Sequence, residues 1–319
     1  MLRHVCITAV DGNTGYTIAE LLLSAPFKSK VGTVVGLALD DSATKAKEFT
    51  ALGGKLVSHK PGRMRDVVKT LKETGCDVLC LIPPAHHNKK DITEKLIHTA
   101  KKANIPNVCI ISSIGCDYAD PKKQPHIREF IKLESLFLSS KGDASTETGH
   151  SPVIIRAGFY AENLLLYAPQ AQSEGVLPLP IGKKHKFAPV ALRDVAQVAA
   201  HVLTGRGEHS FDDRHRGQMM VVTELATAAS EALGSKMEFE SISESEAKKV
   251  LKSQSESDQS ELQYLLEYYN LVKEGKANYI STTAFVNMTG DHPTEPVDFF
   301  KMYRHEMEPA AKRAKRAHK

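Results

Sequence analysis

The sequence predicts an α/β fold: a doubly wound parallel sheet followed by a smaller C-terminal α+β lobe. Three observations predict it. Strand-like and helix-like segments alternate through the first 157 residues. The strand segments are near-continuous apolar runs, as expected of strands buried on both faces. The first strand passes into the first helix through a glycine turn, "AVDGNTG", at residues 9–15. A sheet of this plan binds its ligand beyond the carboxyl ends of its strands.

The elements follow in order. "HVCITAV" is the first strand, and "GYTIAELLLSAP" a helix with Ile18, Leu21 and Leu22 at helical spacing. "VGTVVGLAL" is the second strand, and "SATKAKEFTALGG" a helix closed by glycines. "KLVSH" and "MRDVVKTLKETG" supply the third strand and its helix, and "CDVLCLIPP" is a fourth strand stopped by Pro83 and Pro84. "KKDITEKLIHTAKKANI" reads as an amphipathic helix, and "PNVCIISSIG" as the fifth strand. Within 117–150, "IREFIKLESLFLSS" is helical and "KGDASTETGHSP" a polar loop. "PVIIRAGF" is the sixth strand.

Beyond it, "ENLLLYAPQAQSEG" reads as a helix, "VLPLPIG" as extended, and "PVALRDVAQVAAHVLTG" as a helix. A charged loop, "RGEHSFDDRHRG", precedes the strand "QMMVV", the helix "ELATAASEALG" and the strand "KMEFESI". Residues 244–275 read as polar helix with Leu262, Leu265 and Leu266 at core spacing. The expected division is 1–157 for the sheet, 158–309 for a smaller lobe with parts returning to the sheet, and 310–319 for a basic tail.

Composition narrows the class. The 319 residues are 41% hydrophobic and 25% charged, an ordinary globular balance. No apolar run reaches the roughly 20 residues of a membrane helix, and no signal-peptide pattern opens the chain. A cytoplasmic location is expected, with a nuclear one open because of the tail. The formal charge is +4, but the last ten residues hold five Lys/Arg and no acid, so the body carries −1. The folded body therefore offers no basic excess for nucleic acid. The five cysteines lie mostly in apolar runs and read as buried thiols. No Cys/His cluster has metal spacing.

In the turn, Ala9, Gly12 and Gly15 stand at the positions of G-x-x-G-x-x-G. The first position permits the bend, the second lets backbone approach a pyrophosphate, and the third lets helix pack on strand. Alanine is tolerable at the first position if φ is negative and awkward if it is positive. The turn implies a dinucleotide site; the other reading is a purely structural strand-to-helix connection. Asp40 lies about 25 residues beyond Gly15, where an acid bonds the adenine ribose and repels a 2′-phosphate. That favours NAD(H) over NADP(H), whereas the plain alternative makes Asp40 a helix cap. His86, His87 and His126 are weaker candidates that could reach the cleft.

The stretches "ITAVDGNTGYTIAELLL", "IISSIGCD", "SPVIIRAGFYAENLLLYAPQAQSEGVLPLPIG" and "VALRDVAQVAAHVL" together resemble the NmrA-like family over roughly residues 3–240. These are atypical short-chain dehydrogenase/reductase relatives with a Rossmann domain. The resemblance implies NAD(P) as cofactor. It implies a pyrophosphate turn at Gly12, Asn13, Thr14, Gly15 and Tyr16, with Pro83 and Pro84 beside the adenine ribose. Ser112 and Ser113 would end the fifth strand. Lys132 would contact the nicotinamide ribose and act as the one candidate catalytic group, and Phe159, Tyr160 and Asn163 would approach the nicotinamide.

Two departures stand out. The tyrosine of a Tyr-x-x-x-Lys dehydrogenase is replaced by Arg128, which cannot exchange a proton near neutral pH. The family's Gly-Asp after the third strand, an adenine contact, is replaced by "SHKPG". The leading expectation is therefore a regulator that senses nicotinamide nucleotides and acts through a protein partner such as a transcription factor. The alternative is an NAD(P)H-dependent oxidoreductase acting on a quinone-like or aromatic molecule. A third reading is an interaction module with a vestigial site.

Overall fold

Why the apolar strand runs bury both faces is visible in the first strand of the computed structural model, which describes residues 2–140, 151–205, 220–255, 258–277 and 284–309. In β1 (Arg3–Thr8) Val5 and Ile7 enter one core while Cys6 enters the other. This is the period-two alternation of a strand covered on both sides. The sheet contains β1, β2 (Val31–Ala38), β3 (Lys55–Ser58), β4 (Val78–Leu81), β5 (Asn107–Ser113) and β6 (Ser151–Ala157). Their order is β3-β2-β1-β4-β5-β6 and all pairings are parallel. The direction of winding reverses between β1 and β4, which opens a crevice at their carboxyl ends.

The connecting helices are α1 (Asn13–Leu23), α2 (Thr44–Ala51), α3 (Met64–Glu73), α4 (Lys89–Ala103) and α5 (Pro125–Ser139). One face packs Val5, Ile7 and Val34 against Ile18 and Leu22 of α1 and Phe49 of α2. The other packs Val35, Leu37 and Leu79 against Leu71 of α3, Leu96 of α4 and Phe137 of α5. All five cysteines are free and buried.

After β6 the chain forms a 3₁₀ turn (Ala161–Tyr167), α6 (Ala168–Glu174), β7 (Val176–Leu179), β8 (Lys186–Phe187) and α7 (Leu192–Thr204). Then come β9 (Met220–Val221), α8 (Val222–Leu233), β10 (Glu238–Ser241), α9 (Glu244–Gln254), α10 (Gln259–Lys273), α11 (Ala284–Thr289), α12 (Pro296–Met302) and α13 (Arg304–Met307). Helix α7 returns to the sheet: Ala196, Ala199, Ala200 and Leu203 share the core of α1. The remaining elements build a third core around Tyr167, Leu179, Leu233, Leu265, Tyr269 and Phe300. There β7 pairs in parallel with β10, and β8 pairs antiparallel with β9.

Two expected helices are divided. "ENLLLYAPQAQSEG" is a 3₁₀ turn and then α6, because Pro169 suits only a helix's first turn. Residues 244–275 form two helices, each started by its own cap. Ser243 and Glu246 make a reciprocal capping box at α9, and Asp258 accepts from the Ser260 N–H at α10. The loops at 141–150 and 206–219 and the tail at 310–319 lie outside the described residues. No helix among the described residues is long and apolar enough to cross a membrane.

Candidate active site

The site begins where β1 stops. Ala9 takes φ of +51°, the left-handed region, so alanine stands where glycine is unstrained. The Gly12 N–H donates to the Ala9 carbonyl at 3.0 Å, and the Val10 N–H ties the turn to Leu37 of β2 at 3.1 Å. Gly12 is the extended residue before α1, with neither a capping side chain nor an acid in the first turn. The Tyr16 N–H donates to the Gly12 carbonyl at 3.0 Å. The amides of Asn13, Thr14 and Gly15 are therefore the donors that a helix start leaves over, at the positive end of its dipole. Such an end receives an anion. A Cβ on Gly15 would stand 2.3 Å from the Ala9 carbonyl oxygen, so only glycine lets α1 sit this close to β1.

The carboxyl ends of β1 and β4 are clamped through one hydroxyl. Thr8 Oγ1 donates to the Ile82 carbonyl at 3.1 Å and accepts from the Ile82 N–H at 2.7 Å. This sets Pro83 and Pro84 across from the glycine turn. A cavity of about 210 Å³ occupies the space between. Gly12, Asn13, Thr14 and Gly15 line one end. Pro83, Pro84 and Ser112 line its flank, and Phe159, Tyr160 and Asn163 approach from beyond β6. Ten of the expected site residues thus share one cavity.

Three expected residues lie elsewhere. Tyr16 has its ring under the Lys45 ammonium at 4.7 Å. Asp40 is exposed, and its Oδ1 accepts from the Ser42 N–H at 2.9 Å and the Ser42 hydroxyl at 2.6 Å, a local cap that holds its carboxyl below the usual range. Lys132 is exposed on α5, because Phe130, two positions earlier on the helix, is the residue turned into the cavity. Ser112 lines the cavity, but its hydroxyl donates to the buried carboxylate of Glu134 at 2.5 Å. Arg156 holds the same carboxylate at 2.9 and 2.7 Å.

Arg128 is a strut. Its guanidinium donates to the carbonyl of Asp117 at 2.9 Å. His126 pairs through Nδ1 with Glu267 at 2.7 Å and does not line the cavity. His86 and His87 stack on each other at 4.2 Å on the loop before α4.

The far wall holds residues that the sequence did not disclose: Lys89, Phe130, Glu261 and Tyr264. Lys89 is only 3% exposed. Its ammonium lies 5.0 Å from the Phe130 ring centroid and 5.1 Å from that of Tyr264, a cation held over two aromatic faces. The Tyr264 hydroxyl is 2.9 Å from Ser113 Oγ. Burial pushes the Tyr264 phenol well above its usual range and raises the carboxyl of Glu261, an effect the Lys89 charge opposes. Burial also carries Tyr160 to about 12.

At the end of β2, Asp11 was also missed. Its Oδ2 accepts from the N–H groups of Leu39 and Asp40 at 3.0 and 2.8 Å. Its signal was its position inside the glycine turn. Beside it, within the "SHKPG" departure, His59 is buried and burial keeps its imidazole below the usual range. A second, apolar cavity of about 730 Å³ follows the edge strand β6 between α7 and α11 and shares Ala157 and Gly158 with the first. No group of three or more metal-ligating side chains occurs among the described residues.

No family model matches the chain. Two curated proteins are similar to it. An NAD(P)H azoreductase of Xenophilus azovorans is 27% identical over 252 residues, covering 77% of this chain and 80% of that protein. Quinone oxidoreductase 2 of Escherichia coli is 24% identical over 251 residues, covering 78% and 81%. Among solved structures, an NADPH-dependent quinone oxidoreductase of Escherichia coli complexed with NADPH superposes with a TM-score of 0.72 at 21% identity, covering 93% of this chain and 99% of that one. A triphenylmethane reductase of Citrobacter sp. gives 0.71 at 16% identity, covering 94% and 99%. These likenesses establish the Rossmann fold. They also correct the leading expectation: the similar curated proteins are oxidoreductases, which overturns the reading of a regulator acting through a transcription factor.

Proposed function

We propose that the chain is an NAD(P)H-dependent oxidoreductase acting on planar aromatic acceptors of the quinone type. One observation carries this reading: a single cavity joins an uncapped helix N-terminus to a wall of Phe130, Phe159 and Tyr264. The first end suits a pyrophosphate, and the second suits flat rings. The names of the two curated relatives support it.

In this reading the amides at Asn13, Thr14 and Gly15 hold the pyrophosphate, and Gly12 gives the backbone room to approach it. Tyr160 and Asn163 border the nicotinamide end together with Phe159. Residues 1–157 form the dinucleotide-binding unit, and Phe159, Glu261 and Tyr264 from residues 158–309 complete a wall that Lys89 and Phe130 begin. A bound reduced nicotinamide supplies a hydride. The protein must orient the acceptor, exclude water and deliver a proton. Lys132, exposed on α5, has no part in this reading.

The cofactor preferred is NAD(H). Asp11, Asp40 and Asp41 put three carboxylates at the end of β2, against a 2′-phosphate. The direct test is calorimetric titration with NAD⁺, NADH, NADP⁺ and NADPH. The native chain should bind, and Gly12→Asp, which sets a carboxylate beside the pyrophosphate, should bind none of them. Undiminished affinity in that variant would remove the site from the turn.

A further inference from the structure

Helix α5 lacks the tyrosine that a Tyr-x-x-x-Lys enzyme uses as its acid, yet a phenol stands in the same cavity by another route. We infer that Tyr264 of α10 is the proton donor to the acceptor's carbonyl oxygen, oriented by Ser113 at the end of β5 and flanked by the Lys89 ammonium of α4. The inference rests on the oxidoreductase reading and adds its acid.

The geometry supports each role. Tyr264 lines the cavity that also contains the glycine turn. Its hydroxyl lies 2.9 Å from Ser113 Oγ, and Ser113 is buried, so this pairing fixes the phenol's direction. Lys89 is buried with its charge 5.1 Å from the ring centroid. A lysine is rarely buried this fully unless it is paired or functional. The groups around the phenol are Lys89 from α4, Phe130 from α5, Ser113 from β5, Tyr160 from beyond β6, and Glu261 and Tyr268 from its own helix. Lys89 is the cation of this set and lies over the ring, while the Ser113 hydrogen bond favours the phenolate against burial, Glu261, Tyr268 and Tyr160, which disfavour it.

The chemistry closes. The acceptor is a quinone and the reductant a dihydronicotinamide, which loses a hydride and with it two electrons. The quinone gains that hydride and one proton and becomes a hydroquinone. The Tyr264 O–H bond breaks and a new O–H bond forms on the acceptor's carbonyl oxygen. The phenolate left behind accepts the Ser113 hydroxyl hydrogen, which turns to it from the Ile114 carbonyl 3.2 Å away, has the Lys89 charge over its ring, and regains its proton from water. Ser113, Tyr264 and Lys89 thus supply from three separate elements what Arg128 cannot supply from α5.

The test compares the native chain with Tyr264→Phe, after thermal melting has shown that the variant is folded. The probes are NADH binding by fluorescence, NADH oxidation by 1,4-naphthoquinone, and the infrared carbonyl stretch of bound 1,4-naphthoquinone. The expected result is unchanged NADH affinity, kcat lower by about 10²- to 10⁴-fold, and a carbonyl stretch at higher frequency because its hydrogen-bond donor is gone. Ser113→Ala, a second variant, should lower kcat more than it raises KM. Native turnover and an unshifted stretch in Tyr264→Phe overturn the inference and leave the oxidoreductase reading intact. Loss of NADH affinity in Tyr264→Phe also overturns it, making Tyr264 a binding group. A native chain that never oxidises NADH with any quinone sinks the oxidoreductase reading, and the inference falls with it.

Discussion

The two ends of the cavity are built in opposite ways. At the glycine end, seven consecutive residues, Ala9 to Gly15, make the whole feature, and backbone atoms do most of the work. At the aromatic end, Lys89, Ser113, Phe130 and Tyr264 come from α4, β5, α5 and α10 and meet only when the chain is folded. The glycine end depends on backbone room and helix polarity. The aromatic end depends on side-chain identity, with a polar pair and a cation inside an apolar wall. Substitutions at the first end should therefore act on stability and binding, and those at the second on turnover.

The sharpest way to break this contrast is Gly15→Val. Its Cβ would stand 2.3 Å from the Ala9 carbonyl oxygen and 2.9 Å from the Val10 Cα, which are backbone atoms and cannot swing aside. We expect a loss of about 3 kcal/mol in chemical denaturation, where Tyr264→Phe should lose far less. Equal stability in the two variants would erase the distinction.

Asp40→Arg sharpens the contrast at the end of β2. Removing one of three carboxylates and adding a guanidinium should move the NADPH-to-NADH affinity ratio about tenfold toward NADPH, a difference of ~1.4 kcal/mol. An unmoved ratio in parallel titrations would leave Asp40 as the cap of Ser42 alone. The smallest effect is expected from Ala9→Gly. Relief of the left-handed φ of +51° should stabilise by about 1 kcal/mol, partly offset by the freer unfolded chain. A melting temperature that falls would mean that the Ala9 methyl packs favourably enough to outweigh its strain.

The same contrast explains what sequence reasoning could reach. The parallel sheet was legible because Val5, Cys6 and Ile7 alternate between two buried cores and so appear as one apolar run. The turn was legible because its spacing is local. Lys89 was not, since it opens a helix beside Lys90 and reads there as a solvated charge. Tyr264 was hidden among Leu262, Leu265, Leu266, Tyr268 and Tyr269, whose burial makes α10 read as core packing. Lys132 matched a family pattern at a position whose helical phase points outward, while Phe130 took the inward one. Asp40 divided evenly between ribose ligand and cap because both use the same carboxylate at a strand end. The Ser42 contacts show the cap in place.

The central claim is that the cavity transfers reducing equivalents from a nicotinamide dinucleotide to an aromatic acceptor. The most direct measurement is the absorbance of NADH, and in parallel NADPH, mixed with purified protein before and after addition of 1,4-naphthoquinone. The account predicts a stable absorbance until the quinone is added, and then a fall that depends on protein concentration and is lost in Gly12→Asp. Tight dinucleotide binding with no oxidation by quinones or azo compounds, or no binding at all, would contradict it.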